Sequence, residues 1–251
     1  MRLYAIDCPP NLFRMPRYAI SDIHGCAATF RALLHGQLRL TPRDELYLLG
    51  DYLNKGPESR GVLDEILRLR HHGHHVVALR GNHDQELLDA VAEPEDDDLR
   101  RRWQEKLEWA VTLDSFGVAE PHQVQERYLR LLESLEYAVE LPDYVLVHAS
   151  LNFADPDRLW TDHAAMLNRR DFTDVDPALL GGRPLVHGHV PEPLRQVKRD
   201  LKAATPAHVG LDAGCVYYKN ATYGNLVALD LDTRRLTVQP NVDRPYAIGR
   251  K

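Results

Sequence analysis

The sequence has no cysteine framework. Its three cysteines, Cys8, Cys26 and Cys215, are widely spaced and odd in number, and no CxxC pair occurs. That excludes a disulfide scaffold and a thiolate metal knot, and it suits a reducing cytoplasm. No stretch approaches the roughly 18 uninterrupted apolar residues of a membrane span, so none is expected. The N-terminus, MRLYAIDCPPNLFRMPRYAI, carries Pro9, Pro10 and Arg14 where a signal peptide needs an unbroken apolar region. Positive charge is not in excess either. Lys and Arg number 31 against 37 Asp and Glu, a net −6, which argues against nucleic acid as a partner. There is no internal repeat and no low-complexity linker.

What remains is 251 residues, 44% apolar and 27% charged, enough to bury a full core in a soluble globular chain. The 13 histidines stand out. Short β-branched apolar runs predict strands at Arg17–Ser21, Glu45–Leu49, His75–Arg80, Tyr144–His148, Pro184–His187, His208–Asp212 and Asn225–Leu231. Arg235–Gln239 would close a terminal hairpin. Helical periodicity joins Ala27, Phe30, Leu33 and Leu34, and again Val62, Leu63, Ile66 and Leu67, with Pro57 suited to a helix start. A charged helical stretch of two or three helices, about residues 85–137, forms an insertion broken by EPEDDD at 93–98. The expectation is a loose extension over residues 1–16, then one α/β domain over 17–251.

Chemistry-bearing residues gather where the strands end. Asp22 and His24 follow the first strand, and alternation along an extended segment puts them on one side. Asp51 follows the second, Asn82 and His83 the third, His148 the fourth and His189 the fifth. Ligands of open α/β sheets bind outside the carboxyl ends of strands. Carboxylate, amide oxygen and imidazole without thiolate suit two divalent ions such as Mn²⁺, Fe²⁺ or Zn²⁺. Such a pair clamps a phosphoryl group and lowers the pKa of a shared water.

SDIHG, GDYLNKGP, LRGNHD, VLVHA and VHGHVP together resemble the five blocks of the PPP-type metallophosphatases, over about Arg17 to Asp243. LDAGCVY and GNLVAL are similar to bacterial members. The resemblance implies a calcineurin-like metallophosphoesterase β-sandwich flanked by helices, with two divalent metal ions at one edge. Asp22 and His24 would hold the first ion, Asp51 would bridge, and Asn82, His148 and His189 would complete the second site. His83 matches the family's general acid. Lys55 and Arg170, the latter in MLNRRDF with Arg169 as its competitor, would bind phosphate. Asn54 and Lys55 stand where the eukaryotic pattern has Asp-Arg. Asn54 can accept a hydrogen bond from His83 but brings no charge, and Lys55 lacks the bidentate fork of Arg. His187 is expected to be buried in its strand or to support a ligand. Arg80 would brace the Asn82 loop, Tyr217 would line the cleft or pack in the core, and Cys215 has no Cx₅R loop to make it a nucleophile. The run His71-His72-Gly73-His74-His75 is expected to be a surface loop, and His35, His122, His163 and His208 have no assigned role.

The implied activity is phosphoester hydrolysis by a metal-bridging hydroxide, with phosphoserine or phosphothreonine in a protein as the leading substrate and phosphotyrosine as a further option. The GNHD and KGP forms also resemble symmetrical dinucleoside polyphosphate hydrolases. A metal-bound binding module without turnover is a third reading, motivated by Asn54. Mn²⁺ is the expected metal, with Fe or Zn as alternatives, and no nucleic-acid or membrane partner is expected.

Overall fold

The computed structural model describes residues 15–98, 101 and 107–244, so Cys8 and most of the expected extension lie outside the described residues. Two sheets stack face to face. The first has five strands in the order β3-β2-β1-β8-β9: β1 (Arg17–Ile20), β2 (Glu45–Leu48), β3 (His75–Ala78), β8 (Asn225–Asp230) and β9 (Leu236–Pro240). β1, β2 and β3 run parallel, whereas β8 is antiparallel to both β1 and β9. The second sheet orders β4 (Ala138–Glu140), β5 (Val145–Val147), β6 (Leu185–His187) and β7 (His208–Gly210). Here β5, β6 and β7 are parallel and β4 is an antiparallel edge. Each predicted strand is present within one or two residues; β4 is the addition.

Strand alternation builds the layers. Ala19, Tyr47, Leu49, Leu146, Val186, Val209, Val227 and Leu229 point inward and fill the space between the sheets. Ile20, Leu46, Leu48 and Ala228 point outward, into a cluster with α1 (Ala27–Arg31), α2 (Ser59–His71) and α3 (Asn82–Ala92). α4 (Leu107–Phe116) and α5 (Glu126–Glu133) add Trp109, Phe116, Tyr128 and Leu132 to the same cluster. The far face of the second sheet packs Val145, Val147 and Leu185 against Leu151, Phe153, Met166 and Leu180. Two more helices, α6 (His163–Asn168) and α7 (Leu194–Asp200), belong to this half. After Arg31 the α1 backbone widens into a π-helical segment, Ala32–Leu38, that ends on Arg39 at φ 52°.

The parallel strands all deliver their carboxyl ends to one edge of the sandwich, which is what positions the site. Among the described residues one isolated bridge, Leu79 to Glu136, ties the first sheet to the start of the second. Arg80 reinforces it by donating to Gln85, Tyr137 and the carbonyls of Leu132 and Glu133. It therefore braces the loop before Asn82, as expected. Most of the histidine run at 71–75 is exposed, and His187 is fully buried.

Candidate metal centre and cleft

Asp51 is the hub. It follows β2 at φ 56° and is 2% exposed. Its Oδ2 lies 3.3 Å from His24 Nε2, and its Oδ1 lies 3.5 Å from His148 Nε2. Among the described residues two triads bring their ligand atoms within 4.8 Å of one another: His24, Asp51 and His83, and Asp51, His148 and His189. Asn82 Oδ1 is 3.3 Å from His148 Nε2, on the side of the second triad. Asp22 Oδ1 is 4.0 Å from His24 Nε2.

Asp22 and His24 meet through a turn, not through the extended alternation expected from the sequence. β1 ends at Ile20, and His24 sits at φ 46° in the turn that follows. The turn is held by Ile23 and His24 N–H groups donating to the Asp51 carbonyl. Of seven non-glycine residues with positive φ among the described residues, five are His24, Asp51, Asn54, Lys55 and His189. Such conformations cost about 1–3 kcal/mol each and persist where the surroundings enforce them.

The imidazoles are set in the ligand tautomer. His24 Nδ1 is 2.9 Å from the Leu53 carbonyl and His148 Nδ1 is 2.9 Å from the Leu49 carbonyl. A carbonyl only accepts, so each Nδ1 carries the hydrogen and each Nε2 lone pair faces the centre. His189 Nε2 is buried with no hydrogen-bond partner. Burial, and then the Lys55 charge, push the His24 pKa down to about 3. Burial, and then His148, push His189 down to about 4. Burial also lowers His148. These are neutral imidazoles, the form that binds a metal.

The carboxylates are organised by backbone. The His189 N–H donates to Asp22 at 3.0 Å, and Ser21 Oγ contacts the same carboxylate. Burial raises the Asp22 pKa, but His148, His24 and these donors outweigh it and hold it low. Burial and the Asp22 charge push Asp51 well up, although the His83 N–H donates to its Oδ1 at 3.0 Å. Uncompensated buried acid beside neutral imidazole is a donor set that a divalent cation would balance. Room for this arrangement depends on glycine: a Cβ on Gly188 would lie 2.1 Å from Asp22 Oδ2 and from Ser21 Oγ.

Above the triads lies a cleft of about 630 Å³ lined by Lys55, His83, Arg170, His189, Asp212, Tyr217, Asn220 and Tyr223. Arg170 lines it, whereas Arg169 turns away to pair with Asp174. Lys55 also reaches the cleft, but its Nζ donates to His24 Nε2 at 2.8 Å. Asn54 is fully buried and meets His83 Nδ1 at 2.9 Å through its amide nitrogen. The amide therefore donates to the imidazole, where the sequence suggested that it would accept. Burial, then Lys55 and His24, push the His83 pKa well down. Cys215 is buried beside Cys26, and their hydrogen bond and burial push its thiol well up, which leaves it inert as a nucleophile.

A model of the calcineurin-like phosphoesterase family matches residues 15–221. The chain belongs to that family. Members use divalent metals, and the donor set above fits that chemistry. Among curated relatives, the symmetrical bis(5'-nucleosyl)-tetraphosphatase of Delftia acidovorans is 46% identical over 77 residues, 31% of this chain and 26% of the relative. That of Chromohalobacter salexigens is 42% identical over 77 residues, 31% and 27% of the two chains. The matched segment thus spans about a quarter of these relatives' length. A solved structure described as a candidate diadenosine tetraphosphatase superposes with TM-score 0.62 at 24% identity, covering 92% of this chain and 96% of that one. A cold-active protein-tyrosine phosphatase from Shewanella gives 0.59 at 17%, covering 92% and 79%. These likenesses show the family fold alone. The curated relatives favour the dinucleotide alternative over the phosphoprotein reading placed first.

Two buried carboxylates at the site, Asp84 and Asp212, have no role assigned by the sequence motifs. Asp84, inside the GNHD block, is fully buried and its carboxylate accepts from the N–H groups of Asp51, Tyr52 and Gly81 at 2.9–3.0 Å. It locks the β2 loop to the start of α3, and burial followed by the Asp51 charge pushes its pKa up to about 7. Asp212 follows β7 at the same edge and lines the cleft, so the strand-end rule that found the other ligand candidates pointed to it as well.

Proposed function

We propose that the chain hydrolyses dinucleoside polyphosphates by a symmetrical cut, with two divalent ions, Mn²⁺ foremost, held by Asp22, His24, Asp51, Asn82, His148 and His189. The observation that carries this is the run of curated relatives, 39–46% identical over about a third of the chain, that share the symmetrical tetraphosphatase name. The cleft supports it. Lys55 and Arg170 provide cationic charge near the triads for a polyphosphate. Tyr217 and Tyr223, ring centroids 6.1 Å apart, form an aromatic wall of the same cleft, a surface on which a purine can rest.

Bound divalent ions supply Lewis acidity toward phosphoryl oxygens and an activated water. The chain's own residues do the rest. Asp51 spans both triads and fixes their spacing. Lys55 and Arg170 offset charge on the non-bridging oxygens, which is electrostatic stabilisation of the transition state. The α3 N-terminus has His83 in its first turn and sets its positive dipole end beside Asp51, whose Oδ1 accepts from the His83 backbone N–H. His83 presents its outer nitrogen to the leaving oxygen and hydrogen-bonds it as the bond to phosphorus breaks.

Chromatography of diadenosine tetraphosphate incubated with the Mn²⁺-loaded protein tests the reading. ADP as the sole early product is expected. Release of phosphate from a phosphopeptide with an untouched dinucleotide would overturn it in favour of a protein phosphatase. No turnover of either, nor of p-nitrophenyl phosphate, would leave the binding-module reading.

A further inference from the structure

The hydrogen bonds behind His83 run into the helices between β3 and β4. Thr112, in α4, is fully buried, as are Asn54 and Ser59. Its Oγ1 lies 2.7 Å from Asn54 Oδ1, 3.1 Å from the Asn54 backbone nitrogen and 3.1 Å from Ser59 Oγ. On the other side of the same amide, Asn54 Nδ2 lies 2.9 Å from His83 Nδ1.

We infer that Thr112 is a positioning residue that orients the Asn54 amide and thereby keeps the hydrogen of His83 on Nε2, facing the cleft. Thr112 Oγ1 accepts from the Asn54 backbone N–H and donates its hydrogen to Asn54 Oδ1, the shortest of its contacts described above. The 2.7 Å separation is that of an O–H···O bond, and 2.9 Å is that of an N–H donor. With the carbonyl so engaged, the amide NH₂ faces His83. An NH₂ group only donates, so Nδ1 must accept and Nε2 must carry the hydrogen. The reversed amide would present its carbonyl to the ring and place the hydrogen on Nδ1. The Glu86 carboxylate, 3.4 Å from Nδ1, pulls in that direction. Thr112 is the group that opposes it. His83 then serves the leaving oxygen as a neutral N–H donor, in line with the absence of a carboxylate at position 54.

This rests on the cleft being the phosphoester site, but not on a dinucleotide being the substrate. Its test accordingly uses p-nitrophenyl phosphate and a readout independent of turnover. Nitrogen-15 spectra of the histidine-labelled full chain, metal-free and Zn²⁺-loaded, distinguish an Nδ1–H from an Nε2–H ring, with the His83→Gln protein assigning the signal. An Nε2–H His83 is expected in the parent chain. In Thr112→Val the signal should shift toward a mixture of tautomers, and kcat with Mn²⁺ should fall about tenfold at little-changed KM. Thr112→Ser should restore both. An Nδ1–H ring in the parent chain overturns the inference by itself, even if Thr112→Val fails to fold. So does a Thr112→Val protein with the parent tautomer and kcat. An inactive parent chain with an Nε2–H ring that shifts in Thr112→Val would overturn the functional reading and leave the positioning role standing.

Discussion

Lys55 Nζ lies 2.8 Å from His24 Nε2, against the lone pair that the Leu53 carbonyl turns toward the centre. The ammonium thus occupies the direction from which a divalent ion would approach His24. Loading the site should free Lys55 for phosphate, so its substitution has two opposite effects. Lys55→Met should raise KM for phosphoesters about tenfold, a loss of about 1.4 kcal/mol. It should also tighten metal binding, read by titration calorimetry with Mn²⁺. Weaker metal binding in Lys55→Met would show that the contact does not compete with the ion.

Asp51 is the one side chain shared by both triads. Asp51→Asn should lower the metal content of the purified chain by at least one ion, measured by mass spectrometry. Hydrolysis should fall by about 10³-fold or more. Full metal content with parent activity would remove Asp51 from its bridging position.

Neighbouring arginines should separate cleanly. Arg170 lines the cleft, and Arg169 is paired with Asp174. Arg170→Ala should raise KM with unchanged thermal stability. Arg169→Ala should leave KM alone and lower stability by about 1 kcal/mol or less, because its ion pair is partly solvated.

Gly188 faces Asp22 so closely that even a methyl group has no place. Gly188→Ala should abolish metal uptake at the Asp22 side while circular dichroism remains that of the folded chain. Normal uptake would mean that Asp22 moves without consequence.

Acid should destabilise the chain through His187. Burial holds it neutral, with its pKa pushed down to about 3 from the ordinary histidine value of 6.5. Between those values the unfolded chain binds a proton that the folded chain refuses, so stability is complete above about 6.5 and falls as pH drops toward 3. The slope in that window is about 1.4 kcal/mol per pH unit for each such group. Urea unfolding across pH 4 to 7 measures it, those limits being about the range of partial protonation. His187→Phe should lower the slope by about one proton whatever it does to the absolute value. An unchanged slope would mean that His187 is protonated in the fold.

The layers were legible because strands buried on both faces read as short continuous apolar runs, as in ELYLL and YVLVH. The ligand candidates were legible because each follows such a run. β4 was not, since Ala138–Glu140 is a three-residue edge whose sequence has no apolar run. The contact between Asp22 and His24 was anticipated for the wrong reason: the turn that joins them depends on the Asp51 carbonyl, which is distant in sequence. Asn54 was singled out, but the direction of its hydrogen bond was decided by Thr112, 58 residues away, and no local pattern marks that residue. Side chains that organise a site from another element leave no period or spacing behind.

The two sheets exchange almost no backbone hydrogen bonds; among the described residues, Leu79–Glu136 is the one isolated bridge between strand systems. Asp22, His24 and Asp51 hang from one sheet, and His148 and His189 from the other. Whatever these residues jointly grip is therefore a rivet across a seam held otherwise by apolar contact and by a few polar ties, such as His189 N–H to Asp22 and His148 Nδ1 to the Leu49 carbonyl. Occupancy of the centre would therefore add a cross-link between the two halves of the sandwich, a mechanical fastening as well as a chemical one.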